Sequence, residues 1–216
     1  MPADQAAGLR RRNARQPVRC IHCFFDAPAS STRLVHALHQ LGQVSLLVDM
    51  RGRLFADSTT RSLFDWKQQL ERSQLNTLPQ AYGDAWVAPG VRADAPNLHR
   101  AVQGYDCVLF DAGPIGNELA LLRDALNAVV IEVHPTGDSM QRAYRMLKTL
   151  SQAGNSLNIG LLGDAASCDH VRAAGCRFLE QPFTQAIYSV AHEDDAFAAL
   201  AVRMADEETH RMTRCQ

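Results

Sequence analysis

Residues 18–50, VRCIHCFFDAPASSTRLVHALHQLGQVSLLVDM, contain the pattern that decides the fold. Residues 18–25 and 44–49 are short apolar runs, and residues 34–41 between them repeat apolar side chains at helical spacing. This order predicts strand, loop, helix and strand. In nucleotide-binding α/β proteins the loop after the first strand carries glycines and a lysine that hold phosphate. Here that loop, residues 25–32, reads FDAPASST and contains neither residue type.

The rest of the chain continues to alternate apolar runs with helical patterns. Further strands are predicted at 85–88, 105–111, 128–133, 157–162 and 177–179; helices at 62–73, 97–102, 118–126, 138–152, 168–174, 184–191 and 194–209; and a connector at 76–82. Strands that are apolar throughout and alternate with helices indicate a mostly parallel sheet with helices on both faces. We therefore predict a Rossmann-like α/β domain over residues 18–216, preceded by a flexible leader at residues 1–17.

Composition narrows the classes of function. The chain has 216 residues, of which 46% are hydrophobic, and a formal net charge of −1, so no overall field attracts it to nucleic acid or anionic lipid. Apolar runs stay well below the ~18 residues that a membrane span needs. Six scattered cysteines suit a reducing compartment. We expect a cytoplasmic protein without direct nucleic-acid binding, stable membrane insertion or a metal site.

Two predicted strands end in a carboxylate. Asp49 and Asp111 should both lie at the carboxyl edge of the sheet, where α/β proteins bind ligands. In P-loop proteins such acids hold Mg²⁺ and position water, whereas elsewhere they cap helices or close turns. For either residue alone, capping or turn formation is the better interpretation.

Four segments together resemble one family of ATPases. Residues 44–49 look like the "VLLVDxD" segment of the MinD/ParA family, residues 105–116 like its Walker B region "YDxVLIDTGxGI", residues 132–144 like "TTPEPTSITDAY", and residues 178–187 like "FLGxIPxDxAV". Each match is weak alone, but they follow in the family's order. The resemblance implies the MinD/ParA-like P-loop NTPase fold.

The leader makes the resemblance specific to one branch of this family. It contains DQAAGLR, which fits the "DQAxxLR" motif of the FlhG (FleN, YlxH) family, MinD-like regulators of flagellar number and placement. The resemblance implies that this segment docks as a short helix on the signal-recognition-type GTPase FlhF. It assigns helix capping to Asp4, positioning of the attacking water to Gln5, and contact with the GTPase to Ala6, Leu9 and Arg10. Composition alone would instead favour a disordered basic leader.

The chain departs from the family at the phosphate loop. Aligned on Thr32, the family's "KGGVGKTT" places Phe25 at the signature lysine, Asp26 at a glycine and Ser30 at the phosphate-binding lysine, while Ser31 keeps a hydroxyl. Losing two charge-assisted hydrogen bonds costs roughly 3–6 kcal/mol of binding free energy. We predict a degenerate nucleotide site with weak or absent ATP and Mg²⁺ binding. Without ATP to bridge subunits, a monomer or a nucleotide-independent oligomer is expected.

These observations predict a pseudo-ATPase that regulates flagellar number and stimulates GTP hydrolysis by FlhF through its leader. One alternative is a FleN-like anti-activator that binds a FleQ-type transcription regulator, or a protein that binds a flagellar basal-body component, without activating a GTPase. Another is a MinD-like ATPase with an unorthodox phosphate loop.

Overall fold

The computed structural model describes residues 17–54, 78–80, 83–87, 102–114, 125–152 and 157–205. Predictions for the leader at residues 1–16, for the helix at 62–73 and for most of the helices at 97–102 and 118–126 lie outside these ranges. No helix within the described ranges is long and apolar enough to cross a membrane.

An eight-stranded sheet forms the centre of the molecule. Its strands are β1 (Arg19–Phe24), β2 (Ser45–Asp49), β3 (Leu78–Gln80), β4 (Gly83–Val87), β5 (Cys107–Asp111), β6 (Leu126–Val133), β7 (Asn158–Gly163) and β8 (Ile187–Ala191). They lie in the order β3-β4-β2-β5-β1-β6-β7-β8, and all neighbouring pairs are parallel except β3 and β4. The mostly parallel α/β sheet predicted from the sequence is confirmed.

Helices cover both faces of the sheet. They are α1 (Pro28–Gln40), α2 (Gly137–Gln152), α3 (Ala165–Phe178), the short α4 (Gln181–Gln185) and α5 (Ala196–Ala205), and a 3₁₀ turn spans Val102–Gly104. One buried cluster joins α1 and α5 to one face, and a second joins α2 and α3 to the other. Because both faces are covered, every residue of β1, β2, β5 and β7 is buried, which explains their continuous apolar runs.

The first helix ends where the sequence predicts, but it begins earlier, because residues 28–32, expected to belong to the loop, form its first turns. Pro28 lies in the first turn, where its missing N–H has no helical partner to lose. At the other end Gly42 has φ +75°, and its N–H donates to the His39 carbonyl at 2.8 Å. This left-handed conformation favours glycine, so Gly42 ends the helix.

Four other local predictions are wrong. Residues 177–179 end α3 instead of forming a strand; residues 187–191 form β8 instead of a helix; residues 78–80 form β3 within the predicted connector; and Leu126 begins β6 instead of ending a helix. Phe178 is 66% exposed, so the apolar residue on which the strand prediction relied is not part of a buried strand. Because most of β8 is only half-buried, it lacks the apolar run of the central strands.

Candidate functional site

The two predicted strand-terminal carboxylates lie side by side at the carboxyl edge of the sheet. Asp111 ends β5 between β1 and β2, and it is in register with Asp49 on one side and Cys23 on the other. Both carboxylates are fully buried. The loop from β1 into α1 passes beside them, so the structure brings together the ends of three strands that the sequence analysis singled out.

Arg53 lies at the centre of this edge. Its Nε donates to Asp111 Oδ2 at 2.6 Å and its Nη2 donates to Asp111 Oδ1 at 2.7 Å, a bidentate pair. The same guanidinium donates from Nη2 to the Phe25 carbonyl at 2.8 Å and from Nη1 to the Asp26 carbonyl at 2.9 Å. One arginine therefore joins the end of β5 to the loop after β1.

Arg53 is a cation, and all the groups that it contacts at this edge are hydrogen-bond acceptors. The hydrogen bonds to Asp111 raise the pKa of Arg53 above its ordinary value, so the guanidinium stays charged at any physiological pH. Both loop contacts are made by backbone carbonyl oxygens, those of Phe25 and Asp26. The start of this loop thus presents acceptors toward the centre of the site, and these acceptors suit a cation.

Asp49 closes the turn that carries Arg53. Its Oδ1 accepts from the backbone N–H groups of Arg51 and Arg53, each at 3.2 Å, and its Oδ2 accepts from that of Leu54 at 2.9 Å. Turn formation, the simpler of the two interpretations of this aspartate, describes these contacts. Gly113, at φ +66°, adjoins both arginines, and a Cβ there would come within 3.5 Å of Arg51 Cγ.

The hydroxyl residues of the loop have separate environments. Ser31 donates from Oγ to Asp111 Oδ1 at 2.6 Å, which brings the predicted hydroxyl to the predicted carboxylate. Ser30 is buried in the first turn of α1, and its N–H donates to the Ala27 carbonyl at 3.1 Å. Thr32 instead lines a groove between α1 and α5.

Phe25, at the position of the signature lysine, belongs to the hydrophobic core. It is fully buried, and its ring meets that of Phe197 edge to face, with 6.2 Å between the ring centroids. The side chain therefore turns under α1 and α5, away from the polar edge where its own carbonyl contacts Arg53.

Four residues of this edge are not predicted from the sequence: Arg53, Glu132, His134 and Arg142. Glu132 is buried and accepts from the Asp26 N–H at 2.7 Å. The Asp26 carboxylate lies 2.8 Å from His134 Nε2 and 3.2 Å from Arg142 Nη2. No pattern in the chain indicates these pairings, because their partners are distant in sequence. The one available signal was an arginine four residues after a strand-terminal aspartate.

The predicted leader residues Asp4, Gln5, Ala6, Leu9 and Arg10 lie outside the described residues. Among the described cysteines, burial raises the pKa of Cys20 to about 12 and those of Cys107 and Cys168 to about 11. These thiols are therefore protonated at neutral pH and are poor metal ligands. Within the described ranges no three His, Cys, Asp or Glu side chains are grouped to hold a metal ion.

Solved structures share this fold across nearly the whole chain. A ParA family ATPase from Chlorobium tepidum TLS matches with a TM-score of 0.55 and 15% identity over 92% of this chain and 95% of that one. The structure of pNOB8 ParA bound to nonspecific DNA matches with a TM-score of 0.55 and 11% identity, over 92% of this chain and 100% of that one. The MinD cell division protein of Aquifex aeolicus matches with a TM-score of 0.50 and 16% identity, over 92% of this chain and 98% of that one. No family model and no curated protein sequence matches this chain. At these identities the likeness shows the fold alone: the chain has the α/β fold of the ParA and MinD ATPases.

Proposed function

We propose that this chain is an FlhG-like regulator of flagellar number that lacks a working ATP site. In this proposal it binds the GTPase FlhF and stimulates GTP hydrolysis through its leader. The DQAAGLR segment of the leader supports the choice of partner, and the position of Arg53 supports the absence of a working ATP site. The Arg53 guanidinium lies against Asp111, Ser31 binds the same carboxylate, and the loop after β1 contributes carbonyl oxygens.

The residues at this edge do not fit a magnesium–nucleotide complex. Phosphate needs lysines and backbone N–H groups, but the loop here directs the Phe25 and Asp26 carbonyls at a guanidinium. A Mg²⁺ ion that approached Asp111 would have to displace Arg53, whose guanidinium already neutralises this carboxylate. The bidentate hydrogen bonds of the guanidinium would be lost in that exchange. This loss adds to that of the two lysine contacts.

A domain of this kind acts as a scaffold without catalytic chemistry of its own. It holds the leader, and the leader supplies Gln5 to the nucleotide of another protein. The glutamine would orient the attacking water, a positioning role that needs no covalent step. No ATP cycle is required, so we expect partner binding and any self-association to be independent of nucleotide.

The decisive experiment measures GTP turnover by FlhF with the full-length chain. We expect stimulation by the wild type and little stimulation by Gln5→Ala, because alanine cannot orient water. Gln16→Ala is the matched control, since it removes a glutamine of the leader outside the DQAxxLR motif, and it should stimulate as the wild type does. Equal stimulation by all three chains, or none by the wild type, would contradict the proposal.

Calorimetric titration with Mg·ATP tests the other half of the proposal. We expect no binding in the micromolar range, and light scattering should give the same mass with and without ATP. Micromolar affinity or ATP-driven dimerisation would favour the alternative of an ATPase with an unorthodox loop. A chain without residues 1–16 that still represses a FleQ-type regulator would favour the anti-activator alternative.

A further inference from the structure

The sheet has two unlike edge strands, and within the described residues no strand lies beyond either of them. β3, at one end, is three residues long and contains Pro79, which has no backbone N–H to donate. β8, at the other end, is the five-residue run Ile187–Ala191, and none of its residues is charged or a proline. Short length, proline and charge protect a free edge against pairing with another chain. β3 has two of these protections, whereas β8 has neither proline nor charge.

Alternate residues of β8 direct their backbone groups away from the sheet. Towards β7, the Ala186 carbonyl accepts from the Ile159 N–H at 3.1 Å, and the His192 N–H donates to the Gly163 carbonyl at 2.9 Å. Backbone groups alternate in direction along a strand, so the even-numbered residues between these two contacts also face β7. The remaining N–H and C=O groups point outward, and they belong to Ile187, Ser189 and Ala191.

The outward groups of β8 form a row of free donors and acceptors. Within the part of the chain that the structure describes, the Ala191 carbonyl alone among them has a partner, the Glu193 N–H at 2.8 Å. A carbonyl oxygen can accept a second hydrogen bond. Because β7 already holds β8 in an extended conformation, an added strand would find the edge in the geometry that it needs.

A second copy of this chain fits the edge of β8 by symmetry. Two β8 strands that meet antiparallel are related by a two-fold axis perpendicular to the sheet. With Ser189 on that axis, Ile187 of each copy lies opposite Ala191 of the other, and Ser189 lies opposite itself. This register pairs every outward residue of one strand with an outward residue of the other.

A cation without an ion pair lies beside the amino end of β8. Arg203 of α5 is exposed, and its guanidinium carbon is 5.2 Å from the centroid of the Tyr188 ring. No acidic side chain in the described ranges forms an ion pair with it. The last turn of α5 reaches the amino edge of the sheet, where Arg19 of β1 donates to the Ala205 carbonyl at 2.9 Å. Arg203 therefore lies near the level of the residues that precede β8.

Acidic residues lie at the other end of β8. Glu193, Asp194 and Asp195 follow the strand and are exposed. In the antiparallel arrangement, Glu193 of the second copy lies opposite the residues that precede β8 in the first, which is the level of Arg203. The two-fold axis keeps α5 of both copies on the same face of the joined sheet. Each arginine therefore approaches an acid of the other copy, and the symmetry makes this contact twice.

We propose that two copies of this chain pair antiparallel along β8, with Ser189 at the two-fold axis and Arg203 of each copy beside Glu193 of the other. The pairing joins the two sheets into one. It leaves the carboxyl edge around Arg53 uncovered, and no nucleotide takes part. A pair of five-residue strands is small beside the about 1,600 Å² of a standard interface, so we expect a dissociation constant in the micromolar range.

Sedimentation equilibrium of the full-length chain without nucleotide, from about 1 to 100 μM, measures the association. We expect the mass to rise towards that of two chains. Ser189→Pro removes the central outward N–H and places a ring at the edge, so it should stay monomeric over this range. Circular dichroism and urea denaturation show that this variant folds. A monomeric wild type, or a folded Ser189→Pro chain that dimerises as the wild type does, would overturn the pairing.

Exchanging the charges of Arg203 and Glu193 tests the arrangement without a change in the strand. Arg203→Glu should raise the dissociation constant about 10-fold or more, because two attractions across the axis become repulsions. Glu193→Arg in the same chain restores opposite charges and should recover most of the loss. Lys148→Glu, an equal change of charge at an exposed residue of α2 on the other face of the sheet, is the matched control and should have no effect. An effect of Arg203→Glu no larger than that of the control, or no recovery in the double variant, would overturn the arrangement.

The sedimentation experiment contains neither FlhF nor nucleotide, so its outcome is independent of the proposed function. A wild type that dimerises but does not stimulate FlhF would support the pairing and overturn the proposed function. A monomeric wild type that stimulates FlhF would overturn the pairing alone. A dimer that forms only after ATP is added would also overturn the pairing, because β8 lies at the far end of the sheet from β2.

Discussion

Two strand-to-helix junctions of this sheet, β1–α1 and β7–α3, are built in different ways. At β7–α3 the N-cap Asp164 accepts from the Ser167 N–H at 2.9 Å and from the Ser167 hydroxyl at 2.7 Å. At β1–α1 the N-cap is Ala27, which has no capping side chain. The polar groups of that junction are satisfied from outside it, by Arg53 and Glu132.

The two junctions are stabilised by groups at different distances along the chain. The β7–α3 junction is completed within three residues of sequence, as an ordinary helix start is. The β1–α1 junction depends on side chains that are 27 to 106 residues away along the chain. It has the geometry of a ligand site, in which groups from several strands converge on one point, but the group at that point is the chain's own arginine.

Removing that arginine should have the largest effect. Arg53→Ala leaves the fully buried Asp111 without its cation, and we expect a loss of about 3–5 kcal/mol in the free energy of unfolding. Urea denaturation measures this loss. Arg172→Ala is the control, because it breaks an exposed pair with Asp169 and should cost at most about 1 kcal/mol. Similar losses of unfolding free energy in the two variants would mean that the Arg53–Asp111 pair stabilises the protein no more than an exposed ion pair does.

Removing the local cap at β7–α3 should have a smaller effect that depends on pH. The hydrogen bonds from Ser167 lower the pKa of Asp164 below its ordinary value, so the cap contributes stability above that ordinary pKa. The contribution disappears as pH falls through the lowered pKa of the folded state. Asp164→Ala should therefore lower Tm at neutral pH, and the difference from the wild type should shrink as pH falls below the ordinary pKa of aspartate. A difference in Tm that stays constant over this range would contradict the capping role.

The smallest effect is expected for the outer ion pair of the β1–α1 junction. Asp26, Arg142 and His134 are each about one-third or more exposed, so solvent screens their attraction. Asp26→Asn keeps the backbone N–H that donates to Glu132, and we expect a loss below about 1 kcal/mol. Denaturation at low salt and in about 1 M NaCl should show this loss shrinking, because added salt screens exposed charges. If Asp26→Asn lost as much unfolding free energy as Arg53→Ala, the β1–α1 junction would depend on the Asp26 carboxylate as much as on Arg53.

The same contrast explains what the sequence could predict. Central strands such as β1 and β5 are buried on both faces, so most of their residues are apolar and the strand pattern is recognisable in the sequence. The half-buried β8 has no such pattern. The apolar but exposed Phe178 instead led to the prediction of a strand that does not form. Asp49 and Asp111 could be placed at one edge because parallel strands end together.

The group between these acids could not be predicted in the same way. Arg53 is 58 residues from Asp111 in the chain, and Arg51 follows the same strand-terminal aspartate. Arg51 also reaches this edge, where its Nε donates to the Ala112 carbonyl, so the sequence does not show which arginine pairs with Asp111. The absence of lysine from residues 25–32 was visible in the sequence, whereas the arginine between the acids was visible only once the sheet was assembled.

The burial of Phe25 has a consequence for redesign. A lysine at this position would place an ammonium group in the core beside Phe197, where desolvation costs several kcal/mol. Phe25→Lys is therefore itself destabilising, and a redesign of this loop toward nucleotide binding would first have to repack α1 against α5.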